Sequence, residues 1–122
     1  MTEAPQETPA ALVKRVVRAI PPGRAATYGT VGRVAAAFDR PIGGARTVAW
    51  ILATLRGDDG TPWQRVVGAG GKILLPDRRG AVQRSRLKHD GVRFSKALVA
   101  SACLLGEDEL LFLLYRRPRR RA

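Results

Sequence analysis

Cysteine and histidine are nearly missing from this chain. Cys103 and His89 each stand alone. One thiol cannot make an internal disulfide, and one thiol with one imidazole cannot build a zinc site of the usual kinds. Catalysis through a Ser-His-Asp or Cys-His pair would have to run through His89. Cys103 lies in "LVASACLL", with no Lys, Arg or His within six residues to favour a thiolate. It reads as a buried structural cysteine. No metal and no cofactor is expected. Long apolar runs are also absent. None reaches the roughly 18 residues a membrane span needs, and no membrane association is expected. The opening "MTEAPQETPA" lacks a basic region followed by an apolar core, so no secretory signal is expected. The cytoplasm is the expected compartment.

Acidic residues are the third scarcity. Ten Asp+Glu face 22 Lys+Arg, leaving a net charge of +12 over 122 residues. Most of that charge is arginine, whose planar fork binds phosphate bidentately. A polyanionic partner, nucleic acid, follows from this balance. The length suits one domain with its own core.

Residues 1–10 read as a disordered lead. Leu12, Val13, Val16, Val17 and Ile20 then recur at helical spacing and stop at "PPG", Pro21–Gly23. Thr30 reads as the N-cap of a second helix running to Phe38. After the turn "DRPIGG", a third helix carries Val48, Ile51, Leu52 and Leu55 and ends near Gly57. Two helices joined by a Gly/Pro turn, the second opening with Arg46, predict a helix-turn-helix. The runs around "GAGG" predict a hairpin or wing. A basic helix over about Ala81–His89 should stop at Gly91. The stretches Ala97–Leu105 and Glu107–Leu114 could be helix or strand. The tail "RRPRRRA", residues 116–122, holds five Arg and should be mobile.

The segments "IPPGRAATYGTVG", "GGARTVAWIL", "TPWQRVV" and "LKHDGV" stand in this order from Ile20 to Val92. In order and spacing they resemble the DNA-binding, active-site domain of the O6-alkylguanine DNA alkyltransferase family, with the similarity covering Leu12–Phe94. The fold this implies is mostly α with a small β wing, a winged helix-turn-helix. Residues 11–94 would form that domain, and residues 95–115 a C-terminal extension packed on it. The family's reactive Pro-Cys-His-Arg-Val is here Pro62-Trp63-Gln64-Arg65-Val66. Trp63 stands where the nucleophile would be and Gln64 where the activating histidine would be. The Glu of the family's hydrogen-bond relay is Asp90. An indole cannot accept an alkyl group as a thiolate does, and a neutral amide is no base. This is the pattern of the alkyltransferase-like proteins, which bind alkylated guanine without repairing it. It implies no enzyme activity, a monomer on double-stranded DNA containing O6-alkylguanine, and a hand-over to nucleotide excision repair proteins.

Site residues follow from the same resemblance. Tyr28 would crowd the phosphate beside the target nucleotide and rotate it. Arg46 would enter the base stack in place of the flipped base. Thr47 and Ala49 are small residues that let the third helix approach the minor groove closely. The lesion pocket would be made by Trp63, Gln64, Leu75, Pro76 and Asp77, with Asp77 either accepting from the base or pairing with Arg78. Thr27, Arg33, Arg78 and Arg79 are candidate phosphate contacts. Arg65 is expected to pair with an acid that the sequence does not name. On helical spacing, Trp50 reads as core or rim. The rival function is a sequence-specific or architectural winged-helix protein with no lesion preference.

Overall fold

The computed structural model describes residues 7–55 and 59–117, and among these five helices surround two very short sheets. Helix α1 spans Pro9–Arg18, and its buried stripe is Leu12, Val13, Val16 and Val17. Its start corrects the expected lead. The Thr8 hydroxyl accepts from the Ala11 N–H at 3.1 Å, so Pro9 and Ala10 are already helical. Glu7 accepts from Arg15 at 2.8 Å. Residues 1–6 lie outside the described residues.

After the "PPG" break, strand β1 (Ala26–Thr27) leads directly into α2 (Tyr28–Phe38). The cap of α2 is Thr27 rather than Thr30. Thr27 is still extended, and its hydroxyl accepts from the Thr30 N–H at 3.0 Å. Thr30 itself is buried inside the first turn. A turn at residues 39–44 joins α2 to α3 (Ala45–Ala53). Gly32 allows this turn to come close, because a Cβ there would sit 3.3 Å from the backbone of Gly44. Helix α3 buries Val48 and Ile51 and stops at Thr54, whose hydroxyl donates to the Ile51 carbonyl at 2.7 Å. Gly57, the expected end, lies outside the described residues.

The hairpin expected around "GAGG" is not formed. Strand β2 (Val66–Val67) pairs in parallel with β1, Ala26 against Val66 and Thr27 against Val67. What remains of the hairpin is a tight loop in which the Gly68 N–H donates to the Lys72 carbonyl at 2.6 Å. The antiparallel hairpin lies later in the chain, with β3 (Phe94–Ser95) against β4 (Leu98–Val99), and Lys72 bridges onto Leu98. Two-residue strands carry too little alternation to announce their partners.

Helix α4 spans Asp77–Asp90, beginning before the expected Ala81, and ends at Gly91 in the left-handed conformation (φ 98°). Ser101–Cys103 form a 3-10 turn, and α5 spans Glu107–Arg116. Glu109 accepts from the Gly106 N–H at 3.2 Å and closes the first turn of α5. Leu105, Leu110 and Leu114 share one core with α1, α2 and α3, so the expected extension is part of the domain's interior. Cys103 is buried in a second cluster with Val67, Leu87 and Val99, as expected. The result is a mostly helical domain with small sheets, a winged-helix-like fold. Tail residues 118–122 lie outside the described residues.

Candidate nucleic-acid interface

The parallel pairing of β1 with β2 brings Tyr28 and Trp63 to one cavity. Tyr28 follows β1 directly, and Trp63 opens the 3-10 turn Trp63–Arg65 that leads into β2. The cavity measures about 310 Å³, within the range of small-ligand pockets. Trp63 and Tyr28 form its aromatic walls. Helix α3 contributes Ala49, Leu52 and Ala53, with Leu55 following it. Leu75 and Val82 add apolar surface, and Arg78 and Arg79 stand at the first turn of α4. Trp63 is half-buried and belongs to neither core cluster. The Arg86 guanidinium lies 5.4 Å from its ring centroid.

Trp63 is held from behind. Gln64 is buried, and its amide donates to Asp90 Oδ2 at 3.2 Å. Arg65 donates to both Asp90 oxygens, at 2.9 and 3.3 Å, and to the Ile20 carbonyl at 2.9 Å. Asp90 is thus the acid that sequence spacing left unnamed. The Arg65 guanidinium, seconded by the Gln64 amide, holds the Asp90 carboxyl below its ordinary pKa despite partial burial. From α4, Gln83 donates to the carbonyls of Gln64 and Val66 at 3.1 and 2.8 Å. These bonds fix the backbone of the turn, and so the direction of the indole.

The expected pocket residues divide. Trp63 and Leu75 line the cavity. Gln64 lies behind the wall. Pro76 and Asp77 are exposed and outside the lining, because α4 begins at Asp77, whose φ of 55° turns the chain into the helix. Gly80 seats this segment on α4. A Cβ there would lie 2.3 Å from the Leu75 carbonyl oxygen. Leu52, Leu55 and Val82 were not foreseen as lining. The helical stripe marked Leu52 and Leu55 for the core, and nothing in the sequence told a core leucine from a cavity leucine.

Among the flipping and phosphate candidates, Arg46 is exposed in the first turn of α3, with no ion-pair partner among the described residues. A cation there is opposed by the helix dipole, so local stability does not explain it. Thr47 is half-buried under the turn, where a Cβ on Gly43 would lie 2.2 Å from its hydroxyl. Burial pushes the Tyr28 hydroxyl pKa up, so the ring stays neutral and does not repel a phosphate. The Thr27 hydroxyl is engaged as the α2 cap, donating to Thr30 Oγ1 at 3.0 Å. Arg33 is also committed. It pairs with Glu107 of α5 at the surface, so contact with a phosphate would have to compete with that carboxylate. Arg78 and Arg79 are exposed beside the cavity.

Chemically, this arrangement can bind a flat, partly apolar group beside basic side chains. Neither Cys103 nor His89 lines the cavity. Comparison with known proteins gives the same outline. Residues 10–92 match the family model described as 6-O-methylguanine DNA methyltransferase, DNA binding domain. A search of curated proteins returns no match. Among solved structures, S. pombe Atl1 in complex with damaged DNA containing O6-carboxymethylguanine is similar. It shares 30% identity over 70% of this chain and 78% of that one, with a TM-score of 0.60. The chain belongs to the family of the 6-O-methylguanine DNA methyltransferase DNA-binding domain, and within it to the alkyltransferase-like proteins.

Proposed function

We propose that this protein recognises O6-alkylguanine in duplex DNA, flips the damaged nucleotide into the cavity beside Trp63, and holds it there without chemical transfer. The observation that carries this reading is the wall itself. A half-buried indole walls an apolar cavity flanked by the helix that presents Arg46, at the position that the motif resemblance gives to the family's nucleophile. Flipping costs a few kcal/mol of unstacking. The indole face returns part of that by stacking on the extrahelical base. The apolar surface of Leu75 and Val82 suits an O6-alkyl group, and Arg78 and Arg79 stand where a displaced backbone would pass. With no thiol or imidazole on the wall, the complex persists as a bound state and flags the lesion. Nucleotide excision repair is the pathway that the family resemblance implies for the hand-over.

Trp63→Ala tests the reading. We expect it to reduce the affinity ratio between an O6-methylguanine duplex and the guanine duplex by about tenfold, since base–aromatic stacking contributes about 1–3 kcal/mol. Its melting temperature should stay close to that of the parent. A large fall in melting temperature with an unchanged ratio would return Trp63 to a structural role. An unchanged ratio in the folded variant would favour a winged-helix binder without lesion preference.

A further inference from the structure

Helix α3 has three distinct faces. Val48 and Ile51 point into the core, while Ala49, Leu52 and Ala53 line the cavity. The third face carries Arg46 and Trp50. Trp50 is 69% exposed, more than any other large hydrophobic residue among the described residues. Of the two expected places, core and rim, this exposure excludes the core. At about 100° per residue, Ala49 lies about 60° to one side of Arg46 and Trp50 about 40° to the other. Cavity-lining Ala53 falls about 20° from Arg46 on the same side as Ala49, so in projection Arg46 lies between the cavity face and Trp50.

We infer that Trp50 is the residue with which α3 grips the DNA strand opposite the flipped nucleotide. This rests on the reading of α3 as the DNA-facing helix, but not on lesion preference. If Arg46 occupies the stack and the cavity takes a nucleotide from one strand, the flank of Arg46 away from the cavity faces the other strand. The walls of the minor groove are deoxyribose rings edged by phosphate oxygens. An indole offers a flat apolar face to the sugars and one N–H donor to an oxygen. Its helix-surface neighbours are Arg46, the exposed Thr54 and Ala53, which are basic, polar and small in that order. They extend a surface suited to a polyanion and form no apolar patch around Trp50 for a protein partner. The contact needs no extrahelical base, so it forms on damaged and undamaged duplex alike.

Three measurements on the full chain test this. Trp50→Ala should weaken binding to an O6-methylguanine duplex and to the guanine duplex by the same factor, about tenfold, with an unchanged melting temperature. On the single-stranded oligonucleotide carrying O6-methylguanine, Trp50→Ala and the parent should bind alike, because the opposite strand is absent. In the Trp63→Phe variant the remaining indole is Trp50, and its fluorescence should become less accessible to acrylamide on addition of guanine duplex. The inference is overturned if Trp50→Ala binds both duplexes as the parent does, or if it loses affinity for the damaged duplex alone. It is also overturned if the single strand shows the same loss, or if acrylamide access does not change. Failure of lesion recognition would show separately, as a parent that binds the two duplexes equally.

Discussion

Arg46→Ala is expected to lower affinity for a duplex containing one O6-methylguanine by about 30- to 100-fold. For the same duplex with guanine the loss should be no more than about threefold. The asymmetry follows from what the side chain does in each complex. On plain duplex the exposed guanidinium is one cation among many, close to a single counterion-release contact. In the proposed flipped complex it would stack between bases and hydrogen-bond to the orphaned partner. Hydrogen bonds from a charged donor and base stacking contribute about 1.5–3 and 1–3 kcal/mol respectively, and about 1.4 kcal/mol is tenfold. The low ends of the two together, about 2.5 kcal/mol, give about 60-fold, inside the stated range. Fluorescence anisotropy titrations at several salt concentrations would measure it. Equal losses on both duplexes, with the salt slope reduced by about one, would make Arg46 a phosphate contact and nothing more.

The second large effect is on stability. Asp90→Asn should destabilise the protein by about 2–3 kcal/mol near neutral pH, because it leaves the Arg65 guanidinium largely buried without its counter-charge. The side chains of this pair are 15% and 12% exposed, Arg65 and Asp90 in that order. For a chain of this size the melting temperature would fall by roughly 10 °C. The pH dependence gives the sign. The carboxyl pKa of Asp90 is lower in the folded state than the ordinary value of about 3.9. The unfolded chain therefore takes up this proton first as pH falls. Stability from the pair is complete above the ordinary carboxylate range and is lost as pH drops below about 4 toward the depressed native value. The gap between parent and Asp90→Asn should narrow over that window. A gap that stays constant from pH 7 to pH 3, measured by thermal or urea unfolding, would show that the charge of Asp90 is not what the fold uses.

Much of the scaffold was legible in the sequence because helices announce themselves by period. The stripe of Leu12, Val13, Val16 and Val17, the Val48/Ile51 face and the stop at Gly91 all follow from spacing and glycine conformation. Trp63 was legible through its place in the motif, which composition alone could not have supplied. Long-range partners were not legible. Asp90 lies 25 residues from Arg65, and Glu107 lies 74 from Arg33. No local pattern ties either pair together. The same holds for the parallel pairing of two dipeptides that brings Tyr28 to Trp63. Pro76 and Asp77 were misplaced because α4 begins before its apolar period becomes visible. Its early turns are basic, and Gly80 packs there for lack of a side chain. The exposure of Trp50 was hidden for a related reason: helical spacing says which residues share a face, not what that face meets.

The central claim is that this protein binds alkylated guanine and leaves it chemically unchanged. The most direct test is a salt-controlled titration of the full chain against one duplex carrying a single O6-methylguanine and the same duplex carrying guanine. Intact-protein mass spectrometry would be run on the same samples. Tighter binding to the damaged duplex and no change in protein mass are expected. Equal affinity for both duplexes, or a gain of one methyl group on the protein, would contradict it.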